Sequence, residues 1–165
     1  MGNKLPQFEA THENIMSIIN MLSAYEQSNR LSPEQVIQKY TRYSCGDLAA
    51  LIKKFIPNTT IMLGTILNKE EMENMPYHFM IKVENKPTNT SYFYDINGLH
   101  AREGLESYVA SILGRNENSE VGFTTKVNQN RKIESSNPTA LHCEKDIVEQ
   151  PYMIASGVFN RNKKI

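Results

Sequence analysis

Apolar residues recur at helical spacing from the first stretch of the chain. Ile15, Ile18, Ile19, Leu22 and Tyr25 share one face of a helix running from Asn14, with Thr11 placed to cap it. Ser32-Pro33-Glu34 marks a second helix start, with Ser as cap, Pro in the first turn and an acid behind it. Val36, Ile37 and Tyr40 are its expected buried stripe. A third helix opens at Ser44, where Ser44 and Asp47 stand at capping-box spacing ahead of Leu48, Ala49, Leu51, Ile52 and Phe55. Pro57-Asn58 stops it.

The period then changes from helix to strand. Residues 60–67, rich in Ile, Leu, Met and Thr, read as a buried strand. Residues 77–83 alternate, with Phe79, Ile81 and Val83 on one side and His78, Met80 and Lys82 on the other. Residues 91–96 form another strand, ended by Asn97-Gly98, and the loop 84–90 is short enough to make the two an antiparallel hairpin. A helix over 102–113 turns Leu105, Tyr108, Val109 and Ile112 inward, with Gly114 capping its end. Residues 121–127 suit a last strand and 128–139 a polar surface loop. No element is assigned after Leu141. Helices first, then a small, mostly antiparallel sheet with one helix following, describe an α+β architecture.

Length and composition narrow the picture. The 165 residues suffice for one domain with a single core, and residues 1–10 and 158–165 are expected to be flexible tails. Lys+Arg and Asp+Glu balance at 18 each, so no net field draws the chain to nucleic acid or an anionic membrane. No apolar run approaches the roughly 20 residues that span a bilayer, and no basic-then-apolar leader opens the chain. A monomer is expected, cytoplasmic or exported by a leaderless route. Two cysteines, Cys45 and Cys143, are too few for a disulfide scaffold, and two free thiols are the expectation.

One of those thiols stands where chemistry is favoured. Cys45 begins the third helix, where unpaired N–H groups and the positive dipole end favour thiolate over thiol. Gly46 leaves the sulfur uncovered, and the Cys45 N–H is free to face an oxyanion. A thiolate nucleophile gains from a base that later protonates the leaving group. His78 opens a strand on its less apolar face, which places its ring at the sheet rim. Asp95 ends the next strand, and antiparallel pairing brings the end of one strand beside the start of the other. Cys45, His78 and Asp95 are thus the candidate nucleophile, base and orienting carboxylate. Taken singly, each has a plain alternative as a structural cysteine, a surface histidine and a turn aspartate.

Ser44-Cys45-Gly46-Asp47-Leu48-Ala49, then Tyr77-His78-Phe79-Met80-Ile81, then Tyr92-Phe93-Tyr94-Asp95-Ile96-Asn97-Gly98 resembles the transglutaminase-like branch of the papain-like superfamily. There a Cys at a helix start precedes a His on one strand and an Asp on the next. The resemblance covers residues 43–100. It implies an α+β fold with the nucleophile helix packed on an antiparallel sheet, and no metal or organic cofactor. It implies amide chemistry on a protein or peptide through a thioester: a cysteine protease or glutamine deamidase, as in small bacterial effectors, or an acyl transferase. A non-catalytic protein-binding module on a degenerate version of the fold is the other expectation. The oxyanion partner is open among Gln38, Tyr40 and Tyr43. His142-Cys143, with His12 or His100, matches no zinc spacing. His100 follows the Asn97-Gly98 turn, where a surface position is expected and a place lining the cleft is the alternative.

Overall fold

Thr11 takes an extended backbone, and its hydroxyl accepts the Asn14 N–H at 3.1 Å, so helix α1 (His12–Ser28) opens on a side-chain cap. α2 (Pro33–Arg42) opens on a full capping box. Ser32 Oγ accepts from Gln35 N–H, while Gln35 Oε1 accepts from Ser32 N–H. The computed structural model describes residues 5–67, 77–115, 120–126 and 137–155. α3 (Cys45–Phe55) follows α2 after only two residues. The corner is tight, and Ser44 N–H donates to Lys39 O at 2.9 Å. Ser44 therefore sits at ψ 19°, outside the extended region a capping side chain needs, and makes no side-chain cap. The capping box expected at Ser44 and Asp47 does not form. Ile37 also departs from expectation at 41% exposed, because one step along α2 rotates it away from the stripe of Val36 and Tyr40.

The sheet is five-stranded and antiparallel throughout its pairings, in the order β4-β3-β2-β1-β5. Its strands are β1 (Thr60–Ile66), β2 (Tyr77–Asn85), β3 (Thr90–Asp95), β4 (Gly98–Ala101) and β5 (Val121–Thr124). The molecule is α+β. Ile61, Phe79, Ile81, Tyr92 and Tyr94 face α1 and α3, joining Ile18, Leu22, Leu48, Ile52 and Phe55 in the larger core. The opposite face carries Met62, Met80 and Phe93 beneath α4 (Leu105–Ile112), whose Leu105 and Val109 close a second core. Gly64 permits that approach: a Cβ there would meet Phe123 Cε1 at 3.0 Å and Val109 Cγ1 at 3.2 Å.

Four further elements differ from the sequence expectation. Asn97-Gly98 does not end the sheet. Asp95 pairs with Gly98 across a two-residue turn, Gly98 takes φ +95°, and β4 continues from it. α4 starts at Leu105, three residues later than expected, after a turn in which Gly104 takes φ +78°. Beyond the expected loop, α5 (Pro138–Glu149) caps on Asn137 and buries Thr139, Ala140, Cys143 and Ile147, and the short α6 (Tyr152–Ala155) buries Ile154. The expected loop therefore ends at Asn137, not Thr139. Residues 127–136 and the tail 158–165 lie outside the described residues. Phe8, in the expected N-terminal tail, donates its N–H to Phe55 O at 2.8 Å and packs on the larger core. Among the described residues no helix is long and apolar enough to cross a membrane.

A buried polar group ties the helices together. Glu26 of α1 accepts from Lys39 Nζ at 2.6 Å, Tyr40 Oη at 2.7 Å and Thr139 Oγ1 at 2.9 Å. Asn137 in turn donates to Tyr40 Oη at 2.8 Å. Burial raises the Glu26 pKa, but these donors outweigh it, and the carboxyl is held below its usual value.

Candidate active site

β2 is longer than the strand beside it, and this creates the site. Residues 77–82 pair with β1, whereas pairing with β3 begins only at Ile81. The Phe79 N–H, beyond the end of β3, instead donates to Cys45 Sγ at 3.4 Å. The first residue of α3 therefore takes a position against the β2 backbone beyond the end of its partner strand.

His78 lies on the α4 face of β2 with Met80. The ring is fully buried, at 0% exposure, not at a solvent rim as its strand face suggested. The less apolar face of this strand is covered too, by the second core under α4, which the local alternation does not reveal. His78 Nε2 is 2.9 Å from Asp95 Oδ2, and Nδ1 is 3.2 Å from Thr41 O. A carboxylate and a carbonyl both accept, so both ring nitrogens must carry protons to satisfy them, which describes an imidazolium. Burial pulls the His78 pKa down. Hydrogen bonds to Asp95 and Cys45, and the charges of both, outweigh that and raise it to about 9.

Asp95 is 3% exposed and saturated with donors. His78 and Tyr108 reach Oδ2, while His100 Nε2 lies 2.7 Å and the Asn97 N–H 2.9 Å from Oδ1. Tyr108 Oη also accepts from Asn97 Nδ2 at 2.8 Å, and its ring stacks on His100 with centroids 4.1 Å apart. Burial penalises the Asp95 charge, yet hydrogen bonds from His100 and His78 hold the carboxyl well below its usual pKa. Burial and the neighbouring carboxylate push the Tyr108 phenol up, so it remains a donor.

Asp95 thus meets the His78 ring, and Cys45 meets the backbone of the next residue, Phe79; Cys45 is 4% exposed, so Gly46 does not leave the sulfur uncovered as expected. The three candidate oxyanion partners are placed differently. Tyr40 is fully buried with its hydroxyl held by Glu26 and Asn137, so it is committed to the helical network. Gln38 is exposed, and Tyr43 is 81% exposed. Neither side chain hydrogen-bonds within the described residues. The N–H groups of Cys45 and Gly46, in the first turn of α3, have no acceptor among the described residues.

Two contacts with Asp95, from His100 and Tyr108, were not expected. His100 follows from strand parity once β4 is recognised, since it lies opposite Phe93 on the face that carries Asp95. Tyr108 carries no local signal, because only the docking of α4 on the sheet brings it to the carboxylate.

A cavity of about 310 Å³ adjoins the site, lined by Thr41, Arg42, Tyr77, Ile112, Leu113 and Gly114. Thr41 is 7% exposed, and its Oγ1 is a buried hydroxyl without a hydrogen-bond partner. Leaving such a group unpaired costs about 1–3 kcal/mol. The second thiol, Cys143, is fully buried in the larger core, and burial pushes its pKa up, so it is poorly placed to react. Both cysteines are free. Among the described residues no three His, Cys, Asp or Glu side chains gather as a metal site.

Compared with family models, curated proteins and solved structures, the chain matches none.

Proposed function

We propose that the chain is a thiol-dependent amide hydrolase of papain-like type, acting on a protein or peptide as a cysteine protease or glutamine deamidase. The observation that carries this is that Asp95 holds the His78 ring at 2.9 Å while Cys45 Sγ takes the N–H of the next residue, Phe79, at 3.4 Å. Cys45 attacks the amide carbonyl as the thiolate; an S–C bond forms, and the carbonyl oxygen takes the negative charge. The Cys45 and Gly46 N–H groups are the donors available to that oxygen. The intermediate collapses, the C–N bond breaks, and His78 gives its proton to the departing nitrogen. Water then attacks the thioester, His78 takes a proton from it, and the C–S bond breaks to release a carboxylic acid. Asp95 holds the ring in position and stabilises its charged form.

Burial of all three side chains favours a second reading, a protein-binding module whose cleft has filled. Alkylation by iodoacetamide at neutral pH separates the two. The hydrolase requires Cys45 to label far faster than Cys143, and His78→Ala to slow Cys45 by about tenfold or more. Equal, slow labelling of the two thiols favours the binding module. Intact-mass analysis of candidate protein substrates then distinguishes the reactions. A gain of one dalton reads as deamidation, fragments as proteolysis, and a sum of masses as acyl transfer to an amine.

A further inference from the structure

We infer that the cavity beside His78 is a carboxylate subsite, so that the amide attacked lies next to a negatively charged group of the substrate. The inference rests on the hydrolase reading and names its substrate class. Thr41 joins cavity and site, since it lines the cavity while its carbonyl meets His78 Nδ1 at 3.2 Å. Tyr77, the residue before His78, forms another part of the wall, and Ile112 and Leu113 supply an apolar side.

One cationic group here lacks a partner among the described residues. Arg42, the last residue of α2, has an exposed guanidinium with no ion pair or hydrogen bond to any described residue. A guanidinium fork over an apolar floor suits a carboxylate on a short aliphatic stem. Arg42 follows Thr41, whose carbonyl meets the His78 ring, so a carboxylate held there lies close to the amide attacked.

The pair of reagents iodoacetate and iodoacetamide tests this on the intact protein. In each, the Cys45 thiolate forms a bond to the CH2 carbon and iodide leaves, while His78 keeps the proton it already holds. The two differ only in the carboxylate. The quantity read is the ratio of the iodoacetate rate to the iodoacetamide rate at Cys45, which cancels the reactivity of the thiol itself. Arg42→Gln is expected to lower that ratio about tenfold. A ratio the same as wild type overturns the subsite while leaving the hydrolase reading in place. A Cys45 inert to iodoacetamide overturns both.

Protection from iodoacetamide identifies the source of the carboxylate. A peptide blocked at both ends and carrying one Glu protects if the subsite holds an acidic side chain. An uncharged peptide with a free C-terminus protects if it holds a chain end. Either protection should weaken in Arg42→Gln. Protection by neither overturns the assignment.

Discussion

His78 and Asp95 are diagonal neighbours on one face of the sheet. The β2–β3 register pairs Ile81 with Tyr94, so continuing it by one places Asp95 opposite Met80, two residues from His78. The 2.9 Å contact between them crosses this offset, within the reach of a diagonal pair. Because β3 turns back at Asp95, its carboxylate stands at a strand end where β4 and α4 also converge. His100 and Tyr108 come from those two elements. The geometry that orients the base is therefore shared by four elements of the fold.

Asp95→Asn should weaken both chemistry and folding. The amide cannot offer two acceptor oxygens to His78, Tyr108, His100 and the Asn97 N–H, and it leaves a buried imidazolium without its counter-charge. Loss of about 3–5 kcal/mol in urea unfolding is expected, together with slower alkylation of Cys45. Unchanged stability would show that the carboxylate does not carry this network.

Stability should depend on pH with a defined sign. The folded-state pKa of His78 is raised to about 9 from 6.5, so its contribution is full below 6.5 and is lost as pH rises through 9. Asp95 is depressed from 3.8, so its contribution is present above that value and is lost as pH falls below it. Cys143 and Tyr108, both pushed up from 9.0 and 10.0, add to the alkaline loss once their unfolded forms ionise. Thermal melts across the range should therefore peak between about pH 4 and 6.5. In His78→Ala the decline between 6.5 and 9 should flatten.

Gly64→Ala probes the packing of α4 on the sheet. The added methyl would meet Phe123 at 3.0 Å and Val109 at 3.2 Å. A loss of about 1–3 kcal/mol is expected from overpacking. Iodoacetamide labelling should respond as well, since Tyr108 reaches Asp95 from the same helix.

Glu26→Gln tests the polar tie among the helices separately from the site. Lys39 loses its ion pair, and the hydroxyls of Tyr40 and Thr139 lose a charged acceptor. Denaturant unfolding should show a loss of about 3 kcal/mol. The alkylation rate of Cys45 in the folded state should stay at the wild-type value, because Glu26 touches none of Cys45, His78 and Asp95.

Local pattern sufficed for much of this architecture. The stripe of Ile15, Ile18, Ile19 and Leu22, the Ser32-Pro33 start and the alternation of residues 77–83 each express a period that a few neighbouring residues set on their own. The sites of Cys45 at a helix start and of His78 and Asp95 on paired strands followed from the same local rules. What lay beyond them depended on contacts distant in sequence. The second core under α4 turned the His78 face from rim to interior, and a polar strand face does not reveal what will cover it. Tyr40, read as a possible oxyanion donor from its place near Cys45, is claimed instead by Glu26 and Asn137, which lie 14 and 97 residues away. The unequal lengths of β2 and β3 decided that Phe79 meets Cys45, and the docking of α4 decided that Tyr108 meets Asp95. Residue spacing determined which side chains were available for a thiol site. Strand register and helix docking decided which of them meet, because those are set by burial across the whole fold and not by any segment alone.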